Sequence, residues 1–560
     1  MSLRSEFLSA DILGLSDLAR HALSGRPVPS RFASPCIPKT LGDLSPPEER
    51  FLPDERAELS AAIEGPLTAL GSHVAVLEAV RALATPGASA VVAGQQPGFL
   101  GGPLFNIYKA VHAVRLSRDL QERWGKPVVP VFWNHADDHD IAEVHNVRLV
   151  TPNLDLRRLH LPGMSSGRTP FSAVQIDAEK QRLISVTEVL RDTFAADMFT
   201  QETLELFVPR DGETLARAWT RSMTTLFGHL GLVVIEPDWI RPSLSRSLAT
   251  LVAPSPIPEL LENKARLASA GFAVAIEPEE AALVYHVGPN GRVALRAGGD
   301  GYRFDGEAGS RTPSELAAEI VTAPNDYSAG ALLRPLVQDL ALPVAAYVGG
   351  FGELAYHVQL AELRRSRDVP ETPFVPRLSC TLIDDAVESS LEQAGCTVGD
   401  FLRTKGACAR SVDEESCTDD TSLSSELHAM SKSFRKELNA LRPRLADVSP
   451  HLPQILKHTS RIIHQQMQRF ADKVDRVANN NVGGLRRDER RLDVHLLPSG
   501  EAQERVLTGA QFLSRFGREW IDALLDEMDA LPSEHMVLYL GPAPKRIREQ
   551  RQPGTPGEDK

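Results

Sequence analysis

The sequence predicts an α/β protein built on a mainly parallel sheet, and two observations carry that prediction. Short apolar runs recur along the chain, at "AVVA" (90–93), "VVPVFW" (128–133), "LVVI" (232–235), "PVAAYV" (343–348) and "MVLYL" (536–540). Strands buried on both faces look like this, and helical stretches separate them, which is the alternation of a parallel sheet with crossover helices.

Taken in order, the elements justify that class. The opening "MSLRSEFLSADILGLS" has no continuous apolar segment, and nowhere do 18 apolar residues run together, so a cytoplasmic protein with no membrane span is expected. Residues 106–123 supply the first crossover helix. Two stretches then alternate polar and apolar residues, "VRLVTPNLDLRRLHL" (147–161) and "RVALRAGGDGYRF" (292–304), the second turning at Gly-Gly-Asp-Gly. Alternation with such turns predicts antiparallel hairpins, inserted at about 147–215 and 265–325 beside the sheet's carboxyl edge. The core thus extends over 1–380. Over 381–485 the period changes: Leu456, Ile463, Phe470 and Val477 lie seven apart, Met467 and Val474 fill the intervening position, and Leu427, Phe434 and Leu441 repeat the spacing. Pro443 and Pro450 bracket the turn of this helical hairpin or coiled coil, and "SVDEESCTDDTS" (411–422) is a solvated loop. The chain returns to the core over 486–545 and ends in a polar, flexible tail, 546–560.

Composition bounds the partners. Lys and Arg number 61 against 74 Asp and Glu, a formal net charge of -13, which disfavours nucleic acid and anionic membrane. Any anionic ligand is therefore held by a local arrangement. Cys36, Cys380, Cys396, Cys408 and Cys417 contain no C-x-x-C pair, which argues against a zinc ribbon or a disulfide framework, and the odd count fits reduced thiols.

Three stretches concentrate chemistry. "AVVAGQQPGFLGGPLFNIYKA" (90–110) runs from a strand through glycines into a helix, which can present backbone N–H groups and a positive helix end to an anion. Gly94, Gly98, Gly101 and Gly102 permit close approach, and Gln95 and Gln96 add neutral donors. The pattern is neither G-x-G-x-x-G nor a P-loop, so a loop that needs glycine for its geometry alone is the competing reading. "VFWNHADDHDIAEVHN" (131–146) follows a buried strand, at the end where α/β sheets bind ligands. It gathers Asn134, His135, Asp137, Asp138, His139, Asp140, Glu143 and His145 as acid/base groups, substrate partners or metal ligands. The spacing matches no fixed metal motif, so no bound metal is expected, and Asp138 and Asp140 equally suit the cap of a helix starting near Ile141. "LPVAAYVGGFGELAYHVQL" (342–360) is a second strand, glycine turn and helix, with Gly349, Gly350 and Gly352 in the turn and Glu353, Tyr356 and His357 on one face. Arg334, just upstream, is placed to clamp a carboxylate or phosphate or to form a surface ion pair. "AMSKS" (429–433) imitates a synthetase loop but sits inside the heptad pattern, without an H-I-G-H partner, and reads as an exposed helical face.

Those three blocks, with "PFVPRLSCTLID" and "LPSGEAQERVL", closely resemble the cysteine-adding enzyme family of bacillithiol biosynthesis, BshC, in order from about residue 90 to 540. The resemblance implies a Rossmann-like core with two connecting-peptide insertions and an antiparallel coiled coil through which the family forms homodimers. It implies a ligase that joins L-cysteine through its carboxyl group to the amine of glucosaminyl malate, using ATP, with Mg2+ as a possible companion. Two departures are Phe351, where a Gly-Gly-Pro-Gly-Glu turn is expected, and Asp137, where a glutamate is usual.

On this reading His139 accepts the amine's proton, with Asp138 or Asp140 fixing its tautomer. The glycine loops, Gln95, Gln96, Asn134, His135, Arg334, Glu353 and His357 bind substrate or nucleotide. The competing classes are a dimeric nucleotide- or thiol-binding scaffold that needs a partner for activity, and a metal-dependent hydrolase built on the His/Asp cluster.

Overall fold

Four of the five apolar runs lie side by side in one sheet. The strands β1 (Ser89–Gln95), β2 (Val128–Asn134), β3 (Val233–Ile235), β4 (Val344–Gly349) and β5 (Phe374–Pro376) pair in the order β5-β4-β1-β2-β3. Every pairing is parallel. Read from the other edge the order is 3-2-1-4-5, the doubly wound arrangement of a Rossmann-like core. This computed structural model describes residues 3–14, 16–23, 36–161, 167–176, 180–195, 197–288, 291–298, 301–306, 310–410, scattered positions between 426 and 470, and 484–542.

Alternation within the strands explains the layers. Val91, Ala93 and Phe132 pack with the helix Phe105–Trp124 on one face, while Ala90, Val92, Val131 and Trp133 pack with the helices Pro53–Ala69, Val74–Ala82 and Arg241–Val252 on the other. Successive side chains point to opposite faces, so a strand covered on both sides must be apolar throughout.

The two alternating stretches form antiparallel sheets, as their pattern predicts. Asn146–Val150 pairs with Leu156–His160, and a five-stranded sheet runs Ser310–Arg311, Gly301–Phe304, Gly291–Gly298, Val284–Gly288, Tyr327–Ala329.

The run "MVLYL" departs from expectation. It lies in Glu534–Gly541, the middle of a separate three-stranded sheet, antiparallel to Arg4–Ser9 and parallel to Ser379–Asp384. Its apolarity reports burial on both faces, and that condition is met equally by a small sheet packed against the core.

The chain divides into two compact units, Met1–Asp385 with Val494–Lys560, and Ala386–Asp493. In the second, Cys396 and Cys408 form a disulfide between Cα atoms 6.2 Å apart, which corrects the expectation of reduced thiols for that pair, while Cys36 and Cys380 are free. Folding brings together two cysteines whose spacing carries no motif. Ser431 Oγ lies 2.6 Å from His464 Nδ1 across the helical pairing. Of the heptad positions, Leu427, Leu456, Ile463 and Met467 are half-buried, whereas Phe434, Leu441 and Phe470 are exposed. The acidic stretch 411–422, Val474, Val477 and the tail 546–560 lie outside the described residues.

Candidate active site

Strand order reverses between β1 and β4, and in open α/β sheets the crevice beyond the carboxyl ends at such a point receives ligands. The end of β1 and the loop after it bring Gln95 and Gln96 there, the loop after β2 brings His135 to Asp140, and the end of β4 and the turn after it bring Gly349 to Glu353.

Asp138 is the hub. Its Oδ2 accepts from Gln96 Nε2 at 2.9 Å, and its Oδ1 accepts from the backbone N–H of His139 at 2.7 Å. Arg292 Nη1 lies 3.7 Å and Arg334 Nη1 4.0 Å from its carboxylate. Burial alone would raise the Asp138 pKa, yet Arg334, Arg292 and the N–H donor hold it below the ordinary carboxylate value. The group stays ionised.

His139 is oriented by a cation. Its Nδ1 lies 3.0 Å from Arg292 Nη1 and 3.8 Å from Asp138 Oδ1, and its ring meets Tyr285 edge-on at 5.5 Å. Burial and then Arg292 lower its pKa, against the pull of Asp138 and Asp140. The expected carboxylate partner is therefore replaced by a guanidinium. Asp140 is engaged elsewhere, because its Oδ1 accepts from Ala142 N–H at 3.2 Å and caps the helix Ile141–Val144. Asp137 is bound by Arg241, which also holds Asp238.

Other predicted residues turn away from the crevice. Asn134 Nδ2 donates to Ala216 O at 3.1 Å and Thr220 Oγ1 at 2.9 Å, which anchors β2 to the helix Leu215–Phe227. His145 Nδ1 contacts Ile141 O at 2.5 Å, and its ring lies against His160. His357 is buried, stacked on Tyr347 at 4.8 Å with Phe374 at 5.3 Å, and burial drives its pKa well down. Placement in the core accounts for that histidine, whose i,i+4 spacing from Glu353 had suggested a shared ligand face.

The glycines divide into two groups. Gly98, Gly101 and Gly102 are buried in a loop whose backbone bonds to itself, Gly102 N–H to Phe99 O at 2.9 Å. A Cβ on Gly101 would stand 2.7 Å from Phe207, and one on Gly102 2.5 Å from Asn106 Nδ2. Close packing explains these three, in contrast to the expected anion cradle. Gly94 borders the site, since a Cβ there would meet His135 Nε2 at 2.8 Å. Gly349 abuts the Phe374 ring, Gly350 N–H donates to Glu353 Oε2 at 2.6 Å, and Gly352 faces open space.

Three residues that build the candidate site escaped the sequence reading. Lys109, 1% exposed on the crossover helix, donates from Nζ to Gly94 O at 2.6 Å and Gln95 Oε1 at 3.1 Å, and pairs with Glu353 Oε2 at 2.7 Å. It ties the end of β1 to the turn after β4 across the switch point. A lysine inside the apolar stretch "NIYKAV" was the available signal. Arg292 arrives from the inserted sheet, where nothing local marks it. Arg377 donates from its backbone N–H to Gly349 O at 2.8 Å and pairs through Nη2 with Glu504 Oε1 at 2.6 Å, which joins the β4 turn to the late "QERVL" segment.

A cavity of about 20 Å3 lies between Trp133, His135, Asp137, Arg241, Tyr327 and Arg334, room for about one water. The cluster is open on another side, where the His139, Asp138 and Arg334 side chains are 27%, 22% and 25% exposed. Among the described residues no group of three or more His, Cys, Asp or Glu side chains is placed to hold a metal ion.

Comparison with known proteins agrees with this architecture. Residues 43–378 match the profile described as "Bacillithiol biosynthesis BshC, N-terminal Rossmann-like domain", and residues 380–540 match that of the BshC "C-terminal coiled-coil domain". Three relatives, each named "Putative cysteine ligase BshC", are similar over most of their length. That of Koribacter versatilis is 29% identical over 87% of this chain and 91% of its own. Those of Solibacter usitatus and Symbiobacterium thermophilum are 28% and 29% identical, over 88% and 87% of this chain and 90% of each relative. With both profiles matched in order over nearly the whole sequence, the chain belongs to the BshC family of bacillithiol biosynthesis.

Proposed function

We propose that the protein is a ligase that joins L-cysteine through its carboxyl group to the amine of glucosaminyl malate, the last step of bacillithiol synthesis. The observation that supports this most is the meeting of Asp138, His139, Arg292 and Arg334 at the sheet's switch point in a chain of this family. A free carboxylate carries no leaving group, so an amide forms only after activation, and ATP supplies AMP or phosphate for that purpose. The amine nitrogen then bonds to the acyl carbon while the bond from that carbon to the phosphate oxygen breaks.

Arg334 suits the anionic part of this chemistry, because its one ion pair among the described residues, with Asp138, is 4.0 Å long and a quarter of its side chain is open. Any Mg2+ enters with the triphosphate. Phe434 and Phe470, exposed at helical positions of the second unit, and Leu441, exposed in a turn, support a homodimer through the coiled coil. Among the described residues no helix is long and apolar enough to cross a membrane, and we place the enzyme in the cytoplasm with its small-molecule substrates.

The test is mass spectrometry of the purified protein incubated with ATP, cysteine and glucosaminyl malate. Thiol product with AMP supports an acyl-adenylate, and product with ADP an acyl phosphate. A folded protein that yields neither product overturns the proposal.

A further inference from the structure

We infer that Arg292, delivered by the inserted sheet, is a positioning residue that fixes His139 as a hydrogen-bond donor through Nε2–H rather than as the base of the reaction. A guanidinium offers donors and no acceptor, so at 3.0 Å from Arg292 Nη1 the Nδ1 of His139 must accept. A neutral imidazole that accepts at Nδ1 carries its proton on Nε2. Protonation at Nδ1 would set N–H against N–H, and a ring protonated on both nitrogens would also place two cations in contact.

The guanidinium is itself held in place. Its carbon lies 3.8 Å from the centroid of the Tyr285 ring, its Nη2 donates to Ser328 Oγ at 3.2 Å, and the residue's backbone N–H donates to Arg168 O at 2.7 Å. Only 4% of its side chain is exposed. The nearest carboxylate oxygen, Asp138 Oδ1, lies 3.8 Å from Nδ1, beyond hydrogen-bond reach, and accepts from the His139 N–H, while Asp140 Oδ1 accepts from Ala142 N–H. The charged groups acting on the ring are Arg292, Asp138, Asp140 and Arg168, and burial adds to the two arginines in opposing a second proton.

The consequence for catalysis rests on the acyl-transfer reading above. As the amine nitrogen bonds to the acyl carbon, negative charge grows on the carbonyl oxygen, and a fixed N–H is complementary to that oxygen. The amine's proton then leaves to solvent, because the ring has no vacant nitrogen to receive it.

The test is ring 15N NMR of the full-length protein labelled at histidine, with the His139 signal identified by its disappearance in His139→Gln. The expected result is a protonated Nε2 and a bare Nδ1 in the wild type, a preference lost in Arg292→Leu. A wild-type ring protonated at Nδ1 overturns the inference whether or not any variant folds. Turnover tests the donor role separately. Removing one transition-state donor costs about 10²–10³-fold, so His139→Ala falls by that factor. His139→Gln, whose amide donates from a similar place but is no base, recovers most of the loss. Equal collapse of both variants refutes donation, and the predicted tautomer in an enzyme without turnover on glucosaminyl malate refutes the reaction reading alone.

Discussion

Lys109 and Glu353 cross the switch point as a buried ion pair, and removing either partner should weaken the fold unequally. Lys109 Nζ has three acceptors, Gly94 O, Gln95 Oε1 and Glu353 Oε2, and its side chain is 2% exposed. Glu353 is 16% exposed and keeps the Tyr347 hydroxyl at 3.0 Å and the Gly350 N–H at 2.6 Å. Breaking a buried pair costs about 3–5 kcal/mol. Lys109→Met, which leaves a carboxylate with two donors and some water, belongs near about 3 kcal/mol. Glu353→Gln strands a buried ammonium and belongs near about 5 kcal/mol. The double variant should cost less than the sum by about 0.5–3 kcal/mol, read from urea unfolding at constant slope. Burial already lowers the Lys109 pKa from 10.5, so the unfolded chain binds more protons between the folded value and 10.5, and stability rises with pH in that window. Glu353→Gln extends the window downward. Single costs that add within about 0.5 kcal/mol, with no change in pH dependence, would refute the coupling.

The glycines make a contrasting pair. Gly102→Ala, at φ +73 with a Cβ 2.5 Å from Asn106 Nδ2, should lose about 1–3 kcal/mol, whereas Gly352→Ala, with nothing within 4 Å, should be neutral or gain up to about 1 kcal/mol, as thermal unfolding will show. Gly94→Ala should displace His135 and reduce turnover more than stability, a difference visible by comparing kcat with Tm. Acid should destabilise the protein through His112 and His535, both buried with pKa values lowered to about 4. Their contribution is intact above about 6.5 and declines as pH falls toward 4, by up to about 3 kcal/mol each, so urea midpoints at pH 7.5 and pH 5 should differ in that direction.

The parallel core was legible because a strand covered on both faces leaves no room for polar residues, and four apolar runs recorded that condition directly. Glu534–Gly541 met the same condition in another sheet, so composition could not say which sheet it joined. The cluster after β2 was legible through its density of Asp and His beside a core strand. Its internal assignments were not, because they depend on partners far along the chain: Arg292 is 153 residues from His139, and Arg241 is 104 from Asp137. The glycine loop shows the same limit from the other side. Gly98, Gly101 and Gly102 look like an anion cradle locally, and only the approach of Phe207 and Asn106 reveals why they lack side chains.

The central claim is that acyl transfer occurs at the Asp138–His139 edge of the sheet. The most direct measurement compares product formation by the wild-type protein and Asp138→Asn, with cysteine, ATP and glucosaminyl malate saturating and with folding verified for both. The account predicts product from the wild type alone, without another protein, and a fall of at least about 10²-fold in the variant as the loop holding His139 loses its tie to Gln96. Equal rates from the two proteins would contradict it.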